Sequence, residues 1–136
     1  MATAATAATA ATAAAITALV LRCTRLVVDG DSMRPTLEPG DRLLVIRTRR
    51  LRPGQVVVVR DPREPDRLLV KRVSAIGPAG VSVRGDNEAA STDSREFGAL
   101  PRGEIVGRAV YRYAPAARTG RVPVVPSDTI WTDGLP

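Results

Sequence analysis

A chain of 136 residues and 14.4 kDa holds one ordinary domain, since single hydrophobic cores take up about 100 to 200 residues. It carries no His and one Cys, which excludes Ser/His/Asp and Cys/His catalysis, His-ligated zinc, an intramolecular disulfide and any multi-Cys cluster; neither a metal nor another cofactor is expected. The net charge of +6 would suit nucleic acid, but the aromatic residues Phe97, Tyr111, Tyr113 and Trp131 make no stacking platform and only Arg49, Arg50 and Arg52 cluster tightly, so no nucleic-acid partner is expected.

Residues 1–23 form an Ala/Thr arm. Positions 2–21 hold eleven Ala, five Thr and no charge, a length that matches a bilayer. Ala and Thr contribute little transfer free energy, however, and only Ile16, Leu19, Val20 and Leu21 are strongly apolar, so the arm reads as disordered or helical without spanning. A cleavable leader is disfavoured, because no positive charge precedes the apolar centre.

From residue 24 to 113 short β-branched runs alternate with Gly, Pro and Asp, the pattern of an all-β domain. Strands are predicted at Arg25–Val28, Arg42–Arg47, Gln55–Arg60, Arg67–Ile76, Val81–Arg84 and Ile105–Arg112, separated by the turn signals EPGD, RPGQ, DPREPD and GPAG. The run Val56–Val59 does not alternate, which predicts a strand buried on both faces. Residues 114–136 contain four Pro and no periodicity, and are read as an unstructured tail.

Chemistry is concentrated in three segments. Nineteen of the twenty basic residues are Arg, so Lys71 marks the one position where the two types differ in what they can do: a buried Lys loses its proton near neutral pH, and Arg keeps it. In LLVKRV, period two puts Lys71 on one face with Leu69 and Val73, a setting that removes water from the amine. A chance surface lysine is the plain alternative. As a base Lys71 needs a nucleophile, and the hydroxyls available include Ser32, Ser74, Ser82, Ser91, Ser94 and Ser127. Ser32 lies in VDGDSMRPTL, between a Gly that permits a sharp turn and a Pro that fixes the backbone; taken alone it is as well read as a turn serine. The third segment, GDNEAASTDSREFG, is dense in turn formers and holds Asp93 and Arg95 at pairing distance along the chain.

Taken in order, DGDSMRPTL, PGDRLLV, LLVKRV and GDNEAASTDSREFG resemble the signal peptidase I family, serine endopeptidases that use a Ser/Lys dyad. The resemblance runs from about Val27 to Val110 and implies a small signal-peptidase-like β-fold. On matching positions it makes Ser32 the nucleophile, Lys71 the general base and Ser91 the group that orients the amine. The Ser32 backbone N–H becomes the first oxyanion donor, and Gly30 stands where some relatives place a second, hydroxyl donor. Asp93 and Arg95 correspond to a structural pair; Gly40, Asp41, Gly85, Asp86 and Asn87 correspond to supporting motif turns. A shallow pocket from Met33, Leu37 and Val70 is expected to take small side chains of an extended substrate. The short core and the wording of the last segment are most similar to the branch that matures nickel-type superoxide dismutase, which implies the precursor of that enzyme as substrate and a cytoplasmic location. The alternatives are a membrane-associated peptidase cutting exported proteins and a non-enzymatic basic binding module.

Overall fold

β-branched runs separated by Gly and Pro turns pair into one antiparallel sheet in the computed structural model, which describes residues 10–17 and 22–126. Its strands are β1 (Cys23–Val27), β2 (Arg42–Ile46), β3 (Val56–Asp61), β4 (Glu64–Gly77), β5 (Gly80–Arg84), β6 (Ile105–Ala114) and β7 (Gly120–Arg121). They lie in the order β1-β2-β6-β3-β4-β5, with β7 on β6. Helix is confined to α1 (residues 10–17) and the single turn α2 (Ser94–Phe97), apart from three short 3-10 turns, so the all-β expectation holds for the described residues. No described helix is long and apolar enough to cross a membrane.

The centre of the sheet is β3. Val56 and Val58 point into a cluster with Val28, Met33, Leu37, Leu43, Val45, Ala109 and Val122, whereas Val57 and Val59 point into a second with Leu69, Val73, Val81, Val83 and Leu100. All four valines are at most 1% exposed, which is the two-sided burial their unbroken run predicts. At about 25 cal/mol per Å² of apolar surface, valines buried this fully are the main source of stability in the middle of the sheet. β4 is fourteen residues long and pairs with β3 at Glu64 and through Leu68–Arg72, and with β5 only from Arg72 onward. The side of β4 before Arg72 therefore faces away from β3 with no strand of β5 against it.

The sequence and the structure part company at the carboxyl end. Residues after Ala114 do not trail away: β7 pairs with Tyr111 and Arg112, Val122 is 7% exposed within the first cluster, and the Val125 N–H reaches the Gly54 carbonyl at 3.1 Å. Prolines lack an N–H but keep an acceptor, so Pro123 can cross the sheet and offer its carbonyl to Arg72 at 2.8 Å. Gly54 makes the crossing possible: its φ is +92°, and a Cβ there would stand 2.3 Å from the Val125 oxygen. The expected tail is thus ordered as far as residue 126, while its last ten positions, with Ser127, and arm positions 1–9 and 18–21 lie outside the described residues.

Candidate active site

Between β1 and β2 the chain turns at Gly30, with φ of +80°, and then dives. Met33 and Leu37 are 1% and 0% exposed, and Leu37 N–H donates to the Met33 carbonyl at 2.9 Å, so one tight turn plants two apolar anchors in the core. Ser32, immediately before the first anchor, stays half-buried at the surface. The segment after β5 grips this loop from the side. Asn87 N–H donates to the Ser32 carbonyl at 2.9 Å, Asn87 Nδ2 to the Asp31 carbonyl at 3.1 Å, and Thr36 Oγ1 to Asp86 Oδ2 at 2.6 Å.

Lys71 lies on β4 opposite Val57, on the face it shares with Leu69 and Val73, and is 3% exposed. Its Nζ donates to Ser91 Oγ at 2.9 Å, and Ser91 Oγ donates to Asp93 Oδ2 at 2.8 Å. Asp93 also accepts from Gly85 N–H at 3.0 Å and Arg95 Nε at 2.9 Å. Burial opposes the Asp93 charge, but the Arg95, Gly85 and Ser91 donors outweigh it and hold the carboxyl at about 2. Burial dominates at Lys71, the Asp93 charge offsets only part of it, and the amine falls to about 8. Roughly a tenth of such amines are neutral at pH 7, against about one in 3,000 for a free lysine side chain. The hydrogen bond of the amine goes to Ser91 and not to Ser32, and it uses one N–H, which leaves the lone pair of the neutral form for another donor.

Gly85 joins the two halves. A Cβ at this position would stand 2.3 Å from Ser91 Oγ and 2.6 Å from the Ser32 carbonyl, so the lysine's partner and the serine loop approach across a residue that has room for nothing but hydrogen.

Two acidic residues, Asp86 and Asp41, brace the surroundings through ion pairs that the sequence did not reveal, the first fully buried and the second with partly exposed arginine partners. Arg72 is 0% exposed on the face opposite Lys71, and its Nε and Nη2 grip both oxygens of Asp86 at 2.8 Å while Nη1 donates to the Gly54 and Pro123 carbonyls. The bidentate geometry satisfies a guanidinium that would otherwise be ruinous to bury. Asp41 accepts from Glu38 N–H, Arg112 and Arg118. Gly40, with φ of +89°, returns its N–H to the Val28 carbonyl and closes the loop that carries Ser32.

Ser32 and Lys71 line one cleft of about 290 Å³. Leu26 and Val27 of β1 form one wall and Leu68 to Val70 of β4 the other; Ala90 and Thr92 from the segment after Asn87 border it. Of the three residues expected to shape a substrate pocket, Val70 is on this wall, whereas Met33 and Leu37 are core anchors that the cleft does not reach. An apolar residue in a polar loop reads equally as a surface contact or as an anchor, and burial decides for the anchor. The wall residues missed in the sequence are Leu26, Val27 and Leu68, the last two being 57% and 42% exposed large apolar side chains. Among the other serines, Ser94 Oγ accepts from Val83 N–H and caps that strand. No group of three or more Cys, Asp or Glu suited to a metal ion occurs among the described residues.

Comparison with known proteins places these features in a family. The family model described as signal peptidase, peptidase S26, matches residues 1–86 and 78–114. The chain is 38% identical to the mitochondrial ATP-independent inner membrane protease subunit 1a of Arabidopsis thaliana, over 65% of this chain and 68% of that one. It is 31% identical to the mitochondrial inner membrane protease subunit 2 of Schizosaccharomyces pombe, over 70% and 67%, and 30% identical to the probable signal peptidase I-1 of a Synechocystis species, over 76% and 79%. With four sequence boxes in order, an antiparallel β-fold around them and relatives of this kind along most of its length, the chain belongs to the signal peptidase family, peptidase S26, and is a serine endopeptidase.

Proposed function

We propose that this endopeptidase removes the amino-terminal leader of precursor polypeptides, with Ser32 as nucleophile, Lys71 as general base and Ser91 as the residue that positions the amine. One observation carries the reading: the only lysine of the chain is almost fully buried, fixed by Ser91 and Asp93, and opens onto the cleft that also holds Ser32. Neutral Nζ takes the Ser32 hydroxyl proton as Oγ attacks the scissile carbonyl, and the resulting ammonium gives that proton to the departing amine. Water, deprotonated by the same amine, then releases the acyl group from Oγ. Ser32 N–H is the oxyanion donor on offer in this loop, since Gly30 has no hydroxyl to add. Asp93 stays ionised throughout, and through Ser91 it holds the amine in place without taking its proton.

Substrate enters as an extended segment between β1 and the part of β4 before Arg72, two edges with unpaired backbone groups facing the cleft. Leu26, Val27 and Leu68 to Val70 offer apolar contacts to small or aliphatic residues ahead of the cut, while Asp29, Asp31, Arg63 and Arg67, which also line the cleft, face the polar backbone of the substrate. Two substrate classes follow from different observations. The relatives are named as inner membrane proteases and a signal peptidase, which supports a membrane-associated enzyme acting on translocated precursors over a cytoplasmic one. The wording of GDNEAASTDSREFG supports the nickel-type superoxide dismutase precursor.

Purified wild type, Ser32→Ala and Lys71→Arg, each incubated with that precursor and with an exported preprotein, are read by the mass of the released leader. Cleavage by wild type alone supports the dyad, and the precursor that is cut decides the substrate. Full activity in Lys71→Arg removes the general-base role.

A further inference from the structure

A second hollow of about 280 Å³, which shares no lining residue with the cleft, is lined by four arginines, one of which, Arg102, donates Nη1 to the Arg49 carbonyl at 3.5 Å. Arg47 and Arg49 come from the chain leaving β2, Arg60 from β3, and Arg102 from the turn before β6, with Thr48 and Ile105 between them. All four arginines are exposed, and none forms an ion pair among the described residues, whereas Arg34, Arg63, Arg72, Arg84, Arg95, Arg112 and Arg118 each have an acidic partner. Glu104 is the nearby acid along the chain, and one carboxylate leaves most of the charge uncompensated. Four like charges held around one concavity repel each other in the absence of an anion, and an oxyanion with several acceptors relieves that repulsion.

The position of the hollow selects the carrier of that oxyanion. Arg47 N–H donates to the Arg22 carbonyl at 2.8 Å, so the hollow adjoins the point where the uncharged arm, residues 2–21, joins the sheet. We propose that Arg47, Arg49, Arg60 and Arg102 form a site for the phosphate of an anionic phospholipid, which seats this end of the domain on a membrane surface. The arm and the arginine hollow act together: a weakly apolar segment supplies part of the attraction to the bilayer and the headgroup contacts supply the rest, the two-signal arrangement by which marginal anchors become stable. The inference extends the membrane-associated reading but does not depend on the roles of Ser32 and Lys71.

Flotation of the full chain with phosphatidylcholine vesicles, with and without phosphatidylglycerol, tests it. Wild type is expected to prefer the anionic vesicles. Arg49→Gln combined with Arg102→Gln is expected to weaken that binding by about 30-fold, at roughly fivefold per charge near the surface. Arg42→Gln combined with Arg121→Gln removes the same charge from the opposite end of β2 and from β7, and is expected to leave most of the preference intact. Equal losses in the two double variants, or equal binding of wild type to both vesicles, overturn the site. So does calorimetric binding of inorganic phosphate at the hollow without a vesicle preference, which assigns it to a free anion. Cleavage of a soluble peptide, measured in parallel, separates the two proposals: it persists in the Arg49/Arg102 variant, and its loss there would place the hollow in the catalytic machinery. If Ser32→Ala cleaves normally, the dyad fails while the vesicle result stands.

Discussion

Replacing Lys71 with Met removes the amine but keeps an unbranched chain of similar volume in the same slot. Folding lowers the amine from the ordinary 10.5 to about 8, so below pH 8 the folded chain holds a buried ammonium at a free-energy cost of about 3 kcal/mol. Between pH 8 and 10.5 the unfolded chain binds a proton that the folded chain has released, and stability rises with pH across that window; below it both states are protonated and the dependence vanishes. Wild type should therefore gain about 2 to 3 kcal/mol from Lys71 between pH 7 and pH 10, and Lys71→Met should lack this gain. The variant also forfeits the hydrogen bond to Ser91, about 1 kcal/mol, which leaves it about 2 kcal/mol more stable than wild type at pH 7 and slightly less stable above pH 10. Urea unfolding at a series of pH values measures the difference, because everything but residue 71 is common to both proteins and cancels. Parallel curves, separated by the same amount at pH 7 and pH 10, would show that the amine is not desolvated and would remove the physical basis for a neutral lysine base. A more stable protein with no peptidase activity is the signature of a group kept for chemistry against stability.

The rate should carry the same signature: kcat/KM rises about tenfold per pH unit up to about pH 8 and then levels, as the free enzyme's amine loses its proton. Asp93→Asn removes the negative charge that raises the Lys71 pKa, so the rising limb should move to lower pH even as the plateau falls; an unmoved limb in a stopped-flow pH profile would rule out that coupling. The same carboxyl stands at about 2 in the folded chain against 3.8 unfolded, which stabilises the fold by about 2 kcal/mol above pH 4 and is lost as pH falls through 2, a difference visible in acid unfolding of the variant against wild type. Gly85→Ala forces a Cβ to within 2.3 Å of Ser91 Oγ and 2.6 Å of the Ser32 carbonyl, and should cost more than 100-fold in kcat while the sheet still forms by circular dichroism. Asp86→Ala strands the Arg72 guanidinium in the interior and should destabilise by about 3 to 5 kcal/mol in denaturant titration.

Much of the architecture could be read from residue patterns, and the exceptions share a cause. The valine run and the period-two strand around Lys71 encode burial directly, because a strand's two faces are written in alternate letters. The stretch DPREPD reads as a turn from end to end, yet β4 already begins at Glu64 and runs through Pro65, Asp66 and Arg67. Pro is tolerated there because this part of β4 is an edge, where no neighbour requires its missing N–H, and edge status is a property of the sheet that the local sequence does not carry. Val122 is hidden for a similar reason: one apolar residue among prolines has no period, and its burial follows from where β6 and Gly54 lie. In the site, Ser91 and Asp93 are recognisable by motif, but Arg72 with Asp86 depends on the distance between two strand ends, and Leu26 and Leu68 come to face one cleft only once β1 and β4 are arranged in space.

The ordered carboxyl segment bears on how the molecule tolerates being cut or extended. Pro123 supplies an acceptor to Arg72, the immediate neighbour of Lys71, and Val122 fills the core beneath it. A fusion placed beyond residue 126 hangs from a strap that is already fastened, whereas a stop codon only a few positions earlier, ahead of Val122, unbuckles the strand that bears the lysine. Trimming from this end is thereby a sensitive way to silence the enzyme without touching its cleft.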